Sequence, residues 1–373
     1  MRKYSIDNKL LQDNVFILSS YIILMKAARL HEIGKNLSID DVEIPVPKGR
    51  QVLVRVKSAG VCHSDVHYKD GRWGDFTPQG LGFKSPSLPL TLGHEISGEI
   101  AEMGEDVTGL SKNVPVVVNP WEGEGLCDYC SIGEEQMCDN PTRLGITRDG
   151  GYAEYVLVPD FRYVKTIKNL SFDEAAPLAC AGVTTYRAIK EASMEPGNAL
   201  LIVGSGGGLG TLAVQISKAL GITTIIGVDI SDKAIKATKD AGADYAINAI
   251  EENADKEIMS LTNGNGVNGV IDFNSSDKTL GAYSKLLAKL GTYVMVGQFG
   301  AELSINSIVA IRKSLRFKGT YTGNHRNFVE MINLVENKHI KPNVRYVGGL
   351  DKVNEALENL SKLSVTGRQV IRP

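Results

Sequence analysis

The stretch ALLIVGSGGGLG at residues 199–210 constrains the fold more than any other part of the chain. Five apolar residues run directly into a cluster of glycines. A helical pattern then occupies residues 209–220, with Leu212, Val214, Ile216 and Ala219 apolar and Lys218 on the polar side. Glycines at the end of a strand let the backbone pass close to a pyrophosphate, whose charge rests on the N-terminus of the following helix. Gly204, Gly206, Gly207, Gly208, Leu209 and Gly210 are therefore predicted to bind a dinucleotide. The spacing is one residue longer than strict GxGxxG, reading GxGxxxG or equally GxxGxxG. The next apolar run, at 223–228, is followed by Asp229, 19 residues past Gly210, close to the roughly 20 expected for a ribose-binding acid. A carboxylate there accepts hydrogen bonds from both ribose hydroxyls and repels a 2′-phosphate, which predicts NAD and not NADP. Lys233, at the start of the next helical stretch, joins the predicted cofactor contacts.

Strand-like and helix-like runs keep alternating through residues 270–273 and 293–296. Such alternation with wholly apolar strands predicts a parallel sheet covered on both faces. Before residue 180 the pattern is different. QVLVRV at 51–56 alternates as a half-buried strand does, and 114–118 and 152–158 read similarly, with Gly and Pro between them. That is a β-rich domain with long loops. Two domains are also the default for 373 residues. Pattern alone does not assign the residues after about 321 to either domain.

Lys+Arg at 41 nearly balance Asp+Glu at 43, and no basic run is interleaved with aromatics, so a nucleic-acid partner is excluded. Residues 15–24, VFILSSYIIL, are apolar for only about half of the roughly 20 residues that cross a bilayer. Asp7 and Asp13 in the leading stretch, with no small-residue cleavage site after it, argue against a signal peptide. Residues 1–24 read as an extension ahead of a second methionine, Met25, contributing little to the fold. Five cysteines cannot all pair within one chain. Their clustering speaks for metal chemistry in a reducing compartment, the cytoplasm.

Three of them, Cys127, Cys130 and Cys138, lie in a Gly- and Glu-rich loop that offers no apolar core to bury thiols. Three thiolates at this spacing close around one tetrahedral Zn²⁺. Glu124 continues the two-residue spacing as a fourth ligand, with Glu122 and Asp128 as competing oxygen donors. A second constellation is dispersed: Cys62 in GVCHSDVH, His94 in GHE 32 residues on, and Cys180 at the start of the α/β region. Two thiolates and an imidazole leave a fourth position open, as catalytic zinc requires. Spacing alone does not establish that the three converge. Trp73 and Trp121 are candidates either for a substrate pocket or for an ordinary core.

With GVCHSDVH, LGHE, the three-cysteine loop, the GGGLG turn and Asp229 in this order, the chain resembles the medium-chain zinc-dependent alcohol dehydrogenases from about Met25 onward. It is nearest their thermophilic archaeal NAD-dependent branch, where a glutamate stands in the structural zinc site. The resemblance implies an α/β protein in two parts: a GroES-like β-rich catalytic domain and a Rossmann coenzyme domain with a doubly wound parallel sheet. The domains implied are 25–179 and 322–373 for catalysis and 180–321 for NAD, after the 1–24 extension. It implies two zinc ions per subunit. One is held by Cys62, His94 and Cys180 with Glu95 near or on it; the other is held by Cys127, Cys130, Cys138 and Glu124. Asp65 would orient the histidine, and Ser64 and His67 would relay the proton. Thr184 would pack on the nicotinamide, and Arg368 would reach the pyrophosphate. The activity implied is reversible oxidation of primary and secondary alcohols to aldehydes and ketones, by hydride transfer from a zinc-held alkoxide to NAD. Cysteine at 180, where polyol and glucose dehydrogenases usually carry glutamate, favours simple alcohols. A soluble homotetramer or dimer with no membrane partner completes the expectation.

Overall fold

The computed structural model describes residues 23–77, 86–250, 253–362 and 365–373. Of the sequence-predicted extension, residues 1–22 lie outside these. Leu24 already opens the strand Leu24–Leu30, which pairs antiparallel with Ser38–Glu43. The Ile44 N–H donates to the Ile23 carbonyl at 2.9 Å.

The glycine-run strand Ala199–Val203 sits inside a six-stranded, wholly parallel sheet. The order across the sheet is Tyr245–Asn248, Thr224–Asp229, Ala199–Val203, Val267–Asp272, Leu287–Met295, Arg316–Gly319. That is the doubly wound arrangement, with the chain reversing direction across the sheet beside Ala199–Val203; ligands lie outside the carboxyl ends at such a point. Every residue of Ala199–Val203 is buried. Leu200 and Ile202 face one core with Leu212 and Ile216, while Leu201 and Val203 face another with Val270 and Tyr293. A strand buried on both faces has no polar side, which is why its sequence does not alternate.

The second sheet has seven strands and is mostly antiparallel. Val52–Gly60 is central, with Glu95–Met103 on one side and both Tyr155–Val158 and Arg368–Ile371 on the other. Val344–Gly348 and Arg368–Ile371 thus join the N-terminal sheet. Two strand expectations are refined here. Val52, Val54 and Val56 are buried and Arg55 is exposed, as the alternation predicts, but Leu53 on the outer side is buried as well. The segment 172–179 packs on this strand. Within 152–158 only Tyr155–Val158 is strand, because Tyr152 turns inward. One core cluster joins the two sheets: Cys62, Val117, Trp121 and Ile146 pack with Leu200, Ile202 and Leu212. Among the described residues, no helix is long and apolar enough to cross a membrane.

Candidate active site

Strand register explains how distant residues meet. Gly60 pairs with Glu95, so Cys62, just past one strand, and His94, just before the other, emerge at the same edge. The short helical turn Ala176–Ala179 packs on both strands and delivers Cys180. The ligating atoms of Cys62, His94, Glu95 and Cys180 all lie within 4.8 Å of one another, and all four residues are buried. Gly60 is required here, since a Cβ would collide with the Glu95 carboxylate.

His94 Nδ1 lies 3.1 Å from Asp65 Oδ1 and donates to it, leaving Nε2 buried without a partner. Asp65 is itself fully enclosed. It accepts from Gly93 N (3.3 Å), Cys62 N (3.0 Å) and the Tyr152 hydroxyl (2.8 Å). A carboxylate behind a histidine whose other nitrogen is free is how proteins present imidazole to a metal. The Cys180 thiol donates to Cys62 and, against burial, holds it well below the usual thiol range, helped by Arg368 and His94. Cys180 is correspondingly raised, by that bond and by burial. Burial disfavours a charged His94, but Asp65 and Cys62 outweigh it and raise the imidazole well above its ordinary value. Two buried thiols, a free imidazole nitrogen and the unpartnered Glu95 Oε2 fit a zinc ion.

Arg368 reaches into the metal cluster. Its Nη2 donates to Glu95 Oε1 at 2.6 Å and to Cys62 Sγ at 3.6 Å. A buried guanidinium takes the nearest buried carboxylate. Burial pushes Glu95 up to about 8 in spite of this partner. Arg368 Nε stays unpartnered, 3.5 Å from where a Cβ on Gly208 would stand. The arginine therefore spans the gap between the metal cluster and the glycine turn.

The helix His63–Asp70 carries Ser64 and His67 three residues apart, on one face. Both line a cleft shared with Cys62, Cys180, Thr184, Leu209, Trp121 and Arg368. His67 Nδ1 is 2.8 Å from the Arg72 carbonyl; a carbonyl only accepts, so Nδ1 carries the hydrogen and Nε2 is the free base. His67 is only 9% exposed. Trp73 stacks on its ring at 5.6 Å and Phe299 meets it edge-on at 6.1 Å. Burial lowers its pKa.

At the glycine turn, Gly204 takes φ +75°, and a Cβ on Gly210 would strike the Gly204 carbonyl, so side chains are barred at both. Asp229 Oδ2 accepts from Gly206 N at 2.9 Å, tying the end of its strand to the turn. Gly207 bridges to Gly367. Lys233 is exposed and lines a separate cavity of about 580 Å³ with Asn343, Arg345 and Lys352.

In the cysteine loop, the sulfurs of Cys127, Cys130 and Cys138 lie within 4.8 Å of one another. A Cβ on Gly123 would come within 2.5 Å of Cys130 Sγ. Backbone N–H groups of Cys130 and Asp139 lower Cys127, while burial pushes Cys130 up to about 12. Glu124 is not in the cluster. Its backbone N–H donates to Cys138 Sγ at 3.4 Å, but its exposed carboxylate accepts from Asn140 Nδ2 at 3.3 Å. Neither competing oxygen donor joins the thiols either. Glu122 has a buried, unpartnered Oε2 and is pushed by burial to about 7.

The chain matches the family described as "Alcohol dehydrogenase GroES-like domain" over residues 48–168 and "Zinc-binding dehydrogenase" over 208–337. An "NAD-dependent alcohol dehydrogenase" of Sulfurisphaera tokodaii is 51% identical over 350 residues, 94% of this chain and 100% of that protein. The crystal structure of an alcohol dehydrogenase from Aeropyrum pernix superposes with TM-score 0.84 at 38% identity, covering 93% of this chain and 100% of that one. A "D-arabinose 1-dehydrogenase (NADP(+))" of Saccharolobus solfataricus is 36% identical, covering 94% of this chain and 99% of that protein. This chain is a medium-chain zinc-binding alcohol dehydrogenase by family.

Two features of this dehydrogenase escape sequence reasoning. Tyr152, fully buried, holds Asp65; inside YAEYVLV it reads as one more strand residue, and no local signal marks it. Trp73, weighed as pocket or core, is buried and also donates its indole N–H to Gln298 at 3.0 Å, linking the segment after the helix His63–Asp70 to the loop after Leu287–Met295. Trp121 does line the cleft, its ring 5.6 Å from His94.

Proposed function

We propose that the chain catalyses reversible NAD-dependent oxidation of primary and secondary alcohols to aldehydes and ketones. The carrying observation is the meeting of Cys62, His94 and Cys180 at a cleft that also holds Ser64 and His67. Cys62, His94 and Cys180 hold a zinc ion, with Glu95 as an additional oxygen. Cys127, Cys130 and Cys138 would hold a second, with the exposed Glu124 carboxylate leaving Asn140 to complete the ligand set, and this ion orders their loop. When bound, the first zinc supplies Lewis acidity that makes an alcohol proton easy to lose. Ser64 takes the alcohol proton toward His67, whose free Nε2 is its acceptor.

On the cofactor side, residues 204–210 cradle the pyrophosphate with Arg368 Nε, and Asp229 accepts from the ribose hydroxyls with Lys233 close by. Thr184 packs on the nicotinamide ring. Trp121, Ile146, Phe299 and Tyr321 make much of the cleft wall apolar and aromatic, which suits simple alcohols better than sugars. We further read 25–179 with 322–373 as the catalytic domain and 180–321 as the coenzyme domain, of a cytoplasmic homotetramer. The test is NADH formation across primary, secondary, benzylic and cyclic alcohols, with elemental analysis of the same sample. Two zinc ions per chain and turnover of simple alcohols are expected. No NADH from any of them overturns the reading.

A further inference from the structure

We propose that Tyr152 is a positioning residue for the metal-facing imidazole. Its hydroxyl locks the Asp65 carboxylate that holds His94, and its ring sets the backbone on which His94 stands. The inference rests on the zinc reading above and deepens it. A carboxylate fixes the direction of a histidine only if it is itself prevented from turning. It offers about four lone-pair sites, and Asp65 receives four donors. Oδ1 accepts from Gly93 N and His94 Nδ1, and Oδ2 accepts from Cys62 N and the Tyr152 hydroxyl. The first three belong to the metal-binding residues or to the neighbour of one. The Tyr152 hydroxyl comes from a separate segment, so it is the outside anchor of the set. It lies 2.8 Å from the carboxylate and 3.4 Å from the Gly60 carbonyl. A bond to an ionised acceptor is the stronger one, so its single hydrogen goes to Asp65.

The backbone supplies the second half of the geometry. Gly150 N, Gly151 N and Tyr152 N donate to the carbonyls of Thr91, Gly93 and Leu92 at 2.9, 2.6 and 3.0 Å. These bonds lay residues 150–152 along residues 91–93. Gly93 has φ +89°, and a Cβ on it would stand 2.5 Å from Tyr152 Cδ1. The tyrosine ring thus fills the space that a side chain would need directly before His94. Tyr152 is fully buried, which keeps water from competing for its bond. His94 Nε2, buried without a partner, is aimed by what holds the other end of the ring. Groups that hold a metal-binding histidine from behind are worth roughly 10–100-fold in metal affinity.

The test is chelator competition on the zinc-loaded chain, joined to the visible spectrum after cobalt replaces zinc at Cys62, His94 and Cys180. Tyr152→Phe keeps the ring on Gly93 and removes the hydroxyl. It should weaken the metal at that cluster by about tenfold, the low end of the range for such groups. It should also shift the cobalt bands and leave the ion of the Cys127 loop in place. On an Asp65→Asn background the same change should cost no further affinity, because the carboxylate it acts through is gone. Unchanged affinity and spectrum, or equal losses in both backgrounds, overturn the proposal and leave the zinc reading standing. A Tyr152→Phe chain that loses both ions together, or does not fold, assigns the hydroxyl to folding and overturns the proposal too. A wild-type chain that holds no ion at Cys62, His94 and Cys180 overturns the zinc reading and this inference with it.

Discussion

His67 shows how burial sets the working range of one side chain. Its Nδ1–H is committed to the Arg72 carbonyl, and burial holds its pKa below the ordinary histidine value near 6.5. At neutral pH it is therefore uncharged and able to accept a proton. Below about 6.5 the unfolded chain protonates this ring before the native protein does. Its contribution to stability is thus fully present above that pH and is lost as pH falls. His67→Gln should slow alcohol oxidation by about 10²–10⁴-fold, the usual range for a general base, most severely near neutral pH. The deficit should shrink as pH rises and hydroxide accepts the proton directly. Single-turnover hydride transfer measured across pH checks this; a profile parallel to wild type at every pH would show that His67 is not the acceptor. Asp65 is a different kind of residue. With four donors around one buried carboxylate, it orients His94 and does no chemistry.

At the scale of elements, what is legible in the sequence is what is local. The glycine turn and Asp229 are separated by one helix and one strand, so spacing carries them, and the hydrogen bond from Gly206 N to Asp229 is the physical form of that spacing. Convergence of Cys62, His94 and Cys180 is not local. It depends on the Gly60–Glu95 register and on the packing of Ala176–Ala179, which no residue count encodes. Arg368 and Tyr152 act through contacts hundreds or tens of residues away, so only the fold reveals their partners. Two element-level outcomes follow. Asp229→Gly removes the charge that repels a 2′-phosphate and should raise NADP use relative to NAD, read as the ratio of kcat/KM values; a wild-type preference for NADP would refute the role. The cysteine loop has little core of its own: Leu126 and Ile132 are 89% and 73% exposed, so its order depends on the thiol cluster. Cys130→Ala should lower zinc content from two ions per chain to one and admit protease within residues 124–140, since structural zinc contributes on the order of 10 kcal/mol in small zinc domains. Unchanged zinc content and unchanged protease resistance would contradict this.

At the scale of the whole molecule, two sheets of different architecture share one interior. Cys62, Val117 and Trp121 from the antiparallel sheet and its loops pack in the same cluster as Leu200, Ile202 and Leu212 from the parallel one, and helix His325–Asn337 adds Phe328, Met331 and Ile332. The cleft lies along this shared core, walled by both halves. A chain of this length commonly unfolds in steps when its domains have separate cores. Here, breaking the contact between the sheets would expose fully buried Val117, Leu200 and Phe328, each worth roughly 1.5–3 kcal/mol of burial. The halves should therefore melt together. A ligand that bridges both should move the whole transition: NADH at 100 times its dissociation constant adds about 2.7 kcal/mol by mass action. Scanning calorimetry of the zinc-loaded chain should give one endotherm that shifts upward intact with NADH. Two resolved endotherms, of which NADH moves only one, would mean that the shared core does not couple the sheets and that the cofactor is held by one half alone.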